Sequence, residues 1–327
     1  MTARAVHTTH APQSSTPSPG ARRHVLTAVA LAATVPYLAL KAAWLSGSRI
    51  GIPDGSVLLE AGMFLTVANA VTLAMDACVI LLVLVLTRPW GLRTPAWMLT
   101  VPVFTATGLL TPILLAFPGQ LLVRALGFGT GPEAAAARVP FLDDWVFIVV
   151  YTGFTVQGLA LAALFVPYAR KRWGRRWQGV LGERLPSPTG VVAAAAASGA
   201  LVLAAICVYW AFGGTAGLSA ERVEAHSAQS AVGSVVSAMC ALAAGAGAVL
   251  LARGGALAAR WPLGLAWVGA AATLAWGAWL LIASLGPELD AGEGTPVVTQ
   301  LIYAGQMVTG SLATAVLVRF LISRRES

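Results

Sequence analysis

Eight apolar stretches, each about as long as a bilayer is thick, dominate this chain, and almost nothing charged interrupts them. They run from Val25 to Leu45, Gly62 to Thr87, Trp97 to Phe117, Trp145 to Val166, Val191 to Phe212, Ala231 to Leu251, Leu263 to Leu285 and Val297 to Ile322. A hydrocarbon core of about 30 Å takes roughly 20 residues of helix. Inside it each backbone N–H and C=O must be satisfied by the segment itself, which leaves α-helix for runs of this length. The charge content agrees. Only 10% of the 327 residues are charged and the mean hydropathy is +0.78, against about a quarter charged in a soluble domain. The expected fold class is therefore an all-α membrane protein with eight transmembrane helices.

Charge sorts the connections between the spans. With the N-terminus on the cytoplasmic side, sixteen basic residues fall inside and four outside, namely Arg49, Arg124, Arg138 and Arg222. Ten acids, among them Asp54, Glu60, Glu133, Asp143, Asp144, Glu288 and Glu293, fall outside and two inside. The positive-inside rule then puts both termini in the cytoplasm. The high pI of about 10.1 is a topology signal, so no nucleic-acid partner is expected.

The chain also repeats itself. Tyr151-Thr-Gly153-Phe-Thr-Val-Gln157-Gly158 returns as Tyr303-Ala-Gly305-Gln306-Met-Val-Thr-Gly310. Trp44, Gly47 and Gly51 return 166 residues later as Trp210, Gly213 and Gly217, and Pro95 returns as Pro262. These pairs divide the spans into two sets of four. Four is even, so both copies face the same way, as a parallel repeat about an axis along the membrane normal. The expected organisation is a disordered tail over 1–24, a first repeat over 25–168, a basic connector over 169–190, a second repeat over 191–322 and a short tail over 323–327.

Few polar groups lie at membrane depth. Asp76 is the sharpest, near the middle of the second span. An ionised carboxylate there costs several kcal/mol, so it should face the bundle interior, pair, or stay protonated. It reads either as a proton or cation site or as a carboxyl bonded to a neighbouring helix. Lys41 lies nearer the end of the first span, where its stem can snorkel to the headgroups. Its depth differs from that of Asp76 by about 10 Å at 1.5 Å per residue, which makes Glu60 or Asn69 the nearer partner. The second copy has Cys207 and Leu242 at the corresponding places. Tyr151, Gln157, Gln300, Tyr303 and Gln306 complete the candidate polar site. They could line a cavity between the halves with Asn69, or bond across helices while the adjacent glycines allow close approach.

The remaining features point away from chemistry. Cys78, Cys207 and Cys240 all fall inside spans and no histidine does, so neither a metal site nor a cofactor is expected. No nucleophile–base set or nucleotide motif is present, and an enzyme acting on a lipidic substrate is the weakest of the functional readings. The long connection over 118–142 could carry a short interfacial helix from Gln120 to Leu126 and act as a lid. Arg170, Lys171, Arg172, Arg175 and Arg176 are expected to meet anionic lipid. A membrane sensor, accessory subunit or scaffold, with a possible membrane-protein partner, is the first functional expectation; a transporter coupled to protons through Asp76 is the second.

The run Pro36-Tyr37-Leu-Ala-Leu-Lys41-Ala-Ala-Trp44-Leu-Ser-Gly47, leading to Gly51, resembles the opening of multi-pass membrane proteins of actinobacteria that have no assigned activity. The resemblance implies a bacterial plasma-membrane protein and carries no mechanism.

Overall fold

The computed structural model describes residues 19–59, 62–128, 142–285 and 295–326. Among them are eight helices long and apolar enough to cross a membrane. They are α1 (Pro19–Leu45), α2 (Gly62–Thr87), α3 (Ala96–Ala125), α4 (Asp144–Trp177), α5 (Thr189–Ala211), α6 (Ala228–Arg253), α7 (Arg260–Ser284) and α8 (Val297–Glu326). The chain is a multi-pass integral membrane protein. Glu60, Glu133, Arg138, Glu288, Asp290, Glu293 and most of the 1–24 tail lie outside the described residues, as does the greater part of the connection after α3.

The helices outrun the apolar stretches at several ends, for local reasons. α3 does not stop at Phe117 to restart as an interfacial helix. It runs on to Ala125, because Gln120 Nε2 donates to the Gln229 carbonyl at 3.2 Å and ties this turn to the start of α6. α4 continues through Arg170, Lys171 and Arg172 to Trp177, past a non-helical Trp173 (φ −129°, ψ 16°). The first part of the expected connector is thus helix. Its remainder holds β1 (Val180–Gly182), paired antiparallel with β2 (Gly255–Ala258) from the turn between α6 and α7. Nothing in the apolar pattern announces these strands. A Cβ at Gly254, which has φ +71°, would lie 2.5 Å from the Gly182 carbonyl, so that turn requires glycine. Arg324 on α8 donates to the Gln178 carbonyl at 3.2 Å and to that of Val180, closing this basic end of the molecule.

The last four helices make a tight bundle. α6 and α7 meet almost backbone to backbone: a Cβ on Gly269 would stand 2.2 Å from Ala244 N, and one on Gly247 would stand 2.4 Å from Ala266 N. Gly277 and Gly310 bring α7 and α8 together in the same way. Without a hydrophobic force between helices in lipid, such close approach is what packs them. The core here is Leu251, Ala266, Ala270, Ala313, Leu317 and Phe320, joined by Leu181 and Leu185 from the strand segment.

The first four helices are looser. α1 packs on α4 and α2, and α3 packs on α4, but α2 and α3 barely touch. Their shared core is of larger residues, including Leu82, Leu86, Leu99, Val103, Leu164 and Tyr168. The two sets of four meet through α3, which lies against α6 and α7. At the crossing, a Cβ on Gly108 would be 2.3 Å from the Ala271 carbonyl. Trp267 and Trp276 of α7 donate to Thr107 Oγ1 at 3.3 Å and to the Leu109 carbonyl at 3.1 Å.

Two turns match bond for bond. After α1, Trp44 Nε1 donates to the Ile50 carbonyl at 2.8 Å; after α5, Trp210 Nε1 donates to the Ala216 carbonyl at 3.0 Å. Ser48 N bonds the Ala43 carbonyl and Gly214 N the Tyr209 carbonyl, both at 2.9 Å. Gly47 and Gly213 carry φ of +89° and +88°, the left-handed close of a helix that glycine provides. Gly51 and Gly217 then seat against Val146 and Val298, at the starts of α4 and α8.

Candidate intramembrane polar site

Helical spacing aligns the polar groups of the first half. Tyr37, Lys41 and Trp44 fall at i, i+4 and i+7 on α1, hence on one face. Asn69, Asp76 and Val83 fall seven apart on α2, again on one face, and they expose 2, 6 and 0% of their surface. The two faces meet where α1 packs on α2.

Lys41 Nζ donates to Asn69 Oδ1 at 2.8 Å. It sits 5.0 Å from the centre of the Tyr37 ring and 4.9 Å from that of Trp44. A cation bracketed by two aromatic faces is held by their quadrupoles as well as by the amide. The ammonium is half-buried and turned into the protein, so snorkelling does not describe it. Thr72, one turn from Asn69, turns its hydroxyl to the Ala68 carbonyl at 2.9 Å and the Asn69 carbonyl at 3.1 Å. Lys41 and Asp76 form no contact within salt-bridge distance; Asn69 takes the direct bond.

Two atoms of the first four helices stand out. Asp76 Oδ2 and, on the neighbouring α4, Gln157 Nε2 are buried with no hydrogen-bond partner. An unsatisfied buried polar group costs about 1–3 kcal/mol, and a charged one more. Tyr151 borders the region through its rings: it stacks on Phe117 and Phe147 and meets Phe154 edge to face, while Phe154 in turn packs on Tyr37 at 4.9 Å. An acid free at one oxygen, on the helix face that also holds the amide bonded to Lys41, can take and release a proton.

The other sequence candidates go elsewhere. Tyr303 is buried in the second bundle and its hydroxyl accepts from Arg222 Nη1 at 2.5 Å. Gln300 Nε2 reaches the Ser284 carbonyl at 3.4 Å. Gln306 borders a cavity of about 20 Å³ with Cys207 and Thr273. Neither that cavity nor the larger one between α3, α4 and α7 is lined by Tyr151, Gln157 or Asn69. Between the halves α3 crosses α7, closely at Gly108. Of the expected lipid contacts, Arg172 is taken up by the protein: its guanidinium donates to the Gly91 carbonyl at 3.3 Å, to Tyr168 Oη at 2.6 Å and to the Thr94 carbonyl. Arg170 and Lys171 are exposed.

Tyr37, Trp44 and Thr72 were not among the sequence candidates for the site. Their spacing from Lys41 and Asn69 was the available signal. No protein-family model, curated protein or solved structure matches the chain.

Proposed function

We propose that this protein is a membrane sensor or accessory subunit of a bacterial plasma membrane, built from two parallel four-helix repeats with both termini cytoplasmic. The matched turns after α1 and α5 support the repeat, and the asymmetry of the loop charges supports the orientation. In this reading the second repeat is the scaffold and the first carries the responsive site, Lys41–Asn69–Asp76.

One observation carries the choice over transport. Carriers built from repeats hold their substrate between the repeats, where rocking exposes it to each side in turn. Here the charged group lies inside one half, between α1 and α2, and the cleft that both halves line is almost wholly apolar. Proton-coupled transport is the second reading, and the free oxygen of Asp76 favours it.

Thiol accessibility separates the two. In spheroplasts and inverted vesicles, a cysteine placed at Thr72 should react with an impermeant reagent from the outer side alone. Proteoliposomes should hold an imposed pH gradient equally with wild type and Asp76→Asn. Labelling from both sides, or a proton leak abolished by Asp76→Asn, would replace the sensor reading with the transporter.

A further inference from the structure

A cleft of about 380 Å³ lies between α2, α3, α4 and α7, toward the basic end. It occupies the place where the two halves pack differently. In the second half α6 and α7 close on each other through Gly247 against Ala266 and Gly269 against Ala244. At the spacing of the tryptophans, Leu81 and Cys78 stand where Gly247 and Ala244 do; at the spacing of the prolines, Pro102 and Leu99 stand where Gly269 and Ala266 do. On α2 those two positions are exposed; the larger Leu82 and Leu86 of α2 and Val103 of α3 wall the cleft instead, and α2 and α3 barely touch.

The shape of the cleft is specific. Its wall on α3 is one stripe at helical spacing: Ala96, Thr100, Val103, Thr107, Leu110 and Leu114. At 1.5 Å per residue that stripe is about 27 Å long. A leaflet accounts for half of a hydrocarbon core of about 30 Å, so roughly 15 Å. The groove therefore continues well past the midplane.

The chemistry is equally specific. The lining is almost wholly apolar, and the indole N–H of Trp267 is already bonded to Thr107. The one charged group on the wall is Arg260, at the first turn of α7. It is exposed, rests 5.2 Å over the Trp261 ring and has no carboxylate partner among the described residues. Trp173 and Trp177 flank the same end, as indoles do at the headgroup level.

We propose that this cleft binds a polyprenyl phosphate, with its single long isoprenoid chain along α3 and its phosphate at Arg260. A diacyl phospholipid has its chains confined to one leaflet and does not match the length of the stripe. The site is separate from the Lys41 site and does not depend on the sensor reading.

Native mass spectrometry of the full chain from detergent, titrated with a long polyprenyl phosphate, tests this directly. One equivalent should bind. The uncharged polyprenol should bind about fivefold more weakly, the worth of one cation at the headgroup level, and Arg260→Ala should erase that difference. Dioleoyl phosphatidylglycerol and farnesyl phosphate, whose chains are both shorter than the stripe, should bind more weakly than the long chain. Gly264→Phe should abolish binding, because a side chain at Gly264 enters open space within the cleft. Ala162→Phe, on the exposed side of the α4 wall, serves if Gly264→Phe fails to fold. Phosphatidylglycerol binding as tightly as polyprenyl phosphate would overturn the proposal. So would binding that survives the plugging substitution, or that is indifferent to Arg260.

Discussion

Gly269→Ala tests the packing argument at its tightest point. The added carbon would sit 2.2 Å from Ala244 N and 2.6 Å from Ala243 C, both backbone atoms that cannot turn aside. Ordinary contact begins at 3.4 Å, so α6 and α7 must separate by roughly 1 Å. A gap of that size forfeits about a quarter to a half of the dispersion attraction between facing atoms. Overpacking costs about 1–3 kcal/mol, while alanine in place of glycine in a helix returns up to about 1 kcal/mol. A net loss of about 1–2 kcal/mol is expected. Gly264→Ala is the control: it lies on the same helix with nothing within 4 Å of its Cβ, so it should be neutral or stabilising. Reversible unfolding of the full chain in mixed micelles, followed by tryptophan fluorescence, measures both. Adding Gly247→Ala to Gly269→Ala should cost less than the sum of the two, since one separation of the helices relieves both contacts. A Gly269→Ala protein as stable as wild type would refute the claim that this interface is closed backbone to backbone.

Further tests address the turns and the polar site. Trp44→Phe and Trp210→Phe each remove one indole hydrogen bond from matching turns, and each should cost about 1 kcal/mol in the same unfolding assay. Lys41→Met breaks the bond to Asn69, so it should cost more in the wild type than in Asn69→Leu; a double-mutant cycle should return a coupling of about 0.5–3 kcal/mol. Arg172→Lys should destabilise the basic end of α4, read as faster amide exchange around Gly91 and Thr94, because one ammonium cannot span the three oxygens that the guanidinium fork serves.

The spans were readable because lipid imposes one local rule on every residue of a helix. Length and hydropathy alone carry that signal, and the eight helices follow it. The matched tryptophans and glycines were readable too, since a left-handed glycine closing a helix is a local event. The polar site was legible in part. Asp76 and Asn69 had to face protein, and they do. Tyr37 and Trp44 around Lys41 required knowing which face of α1 turns toward α2. Arg172 looked like its basic neighbours in sequence and differs from them only because the carbonyls of Gly91 and Thr94 lie within its reach.

The sequence by itself determined that the chain crosses the membrane as helices, where those helices lie, and which few side chains could not face lipid. These follow from transfer energies and helical period, which act residue by residue. Tertiary structure decided which helices close on one another and which stand apart. That outcome depends on small residues meeting across two helices at once, as Gly269 meets Ala244 and Gly247 meets Ala266. It also depends on bulk such as Leu82, Leu86, Leu99 and Val103 keeping α2 from α3. Apolar residues of every size read alike on a hydropathy scale, and only packing tells a closed interface from an open cleft.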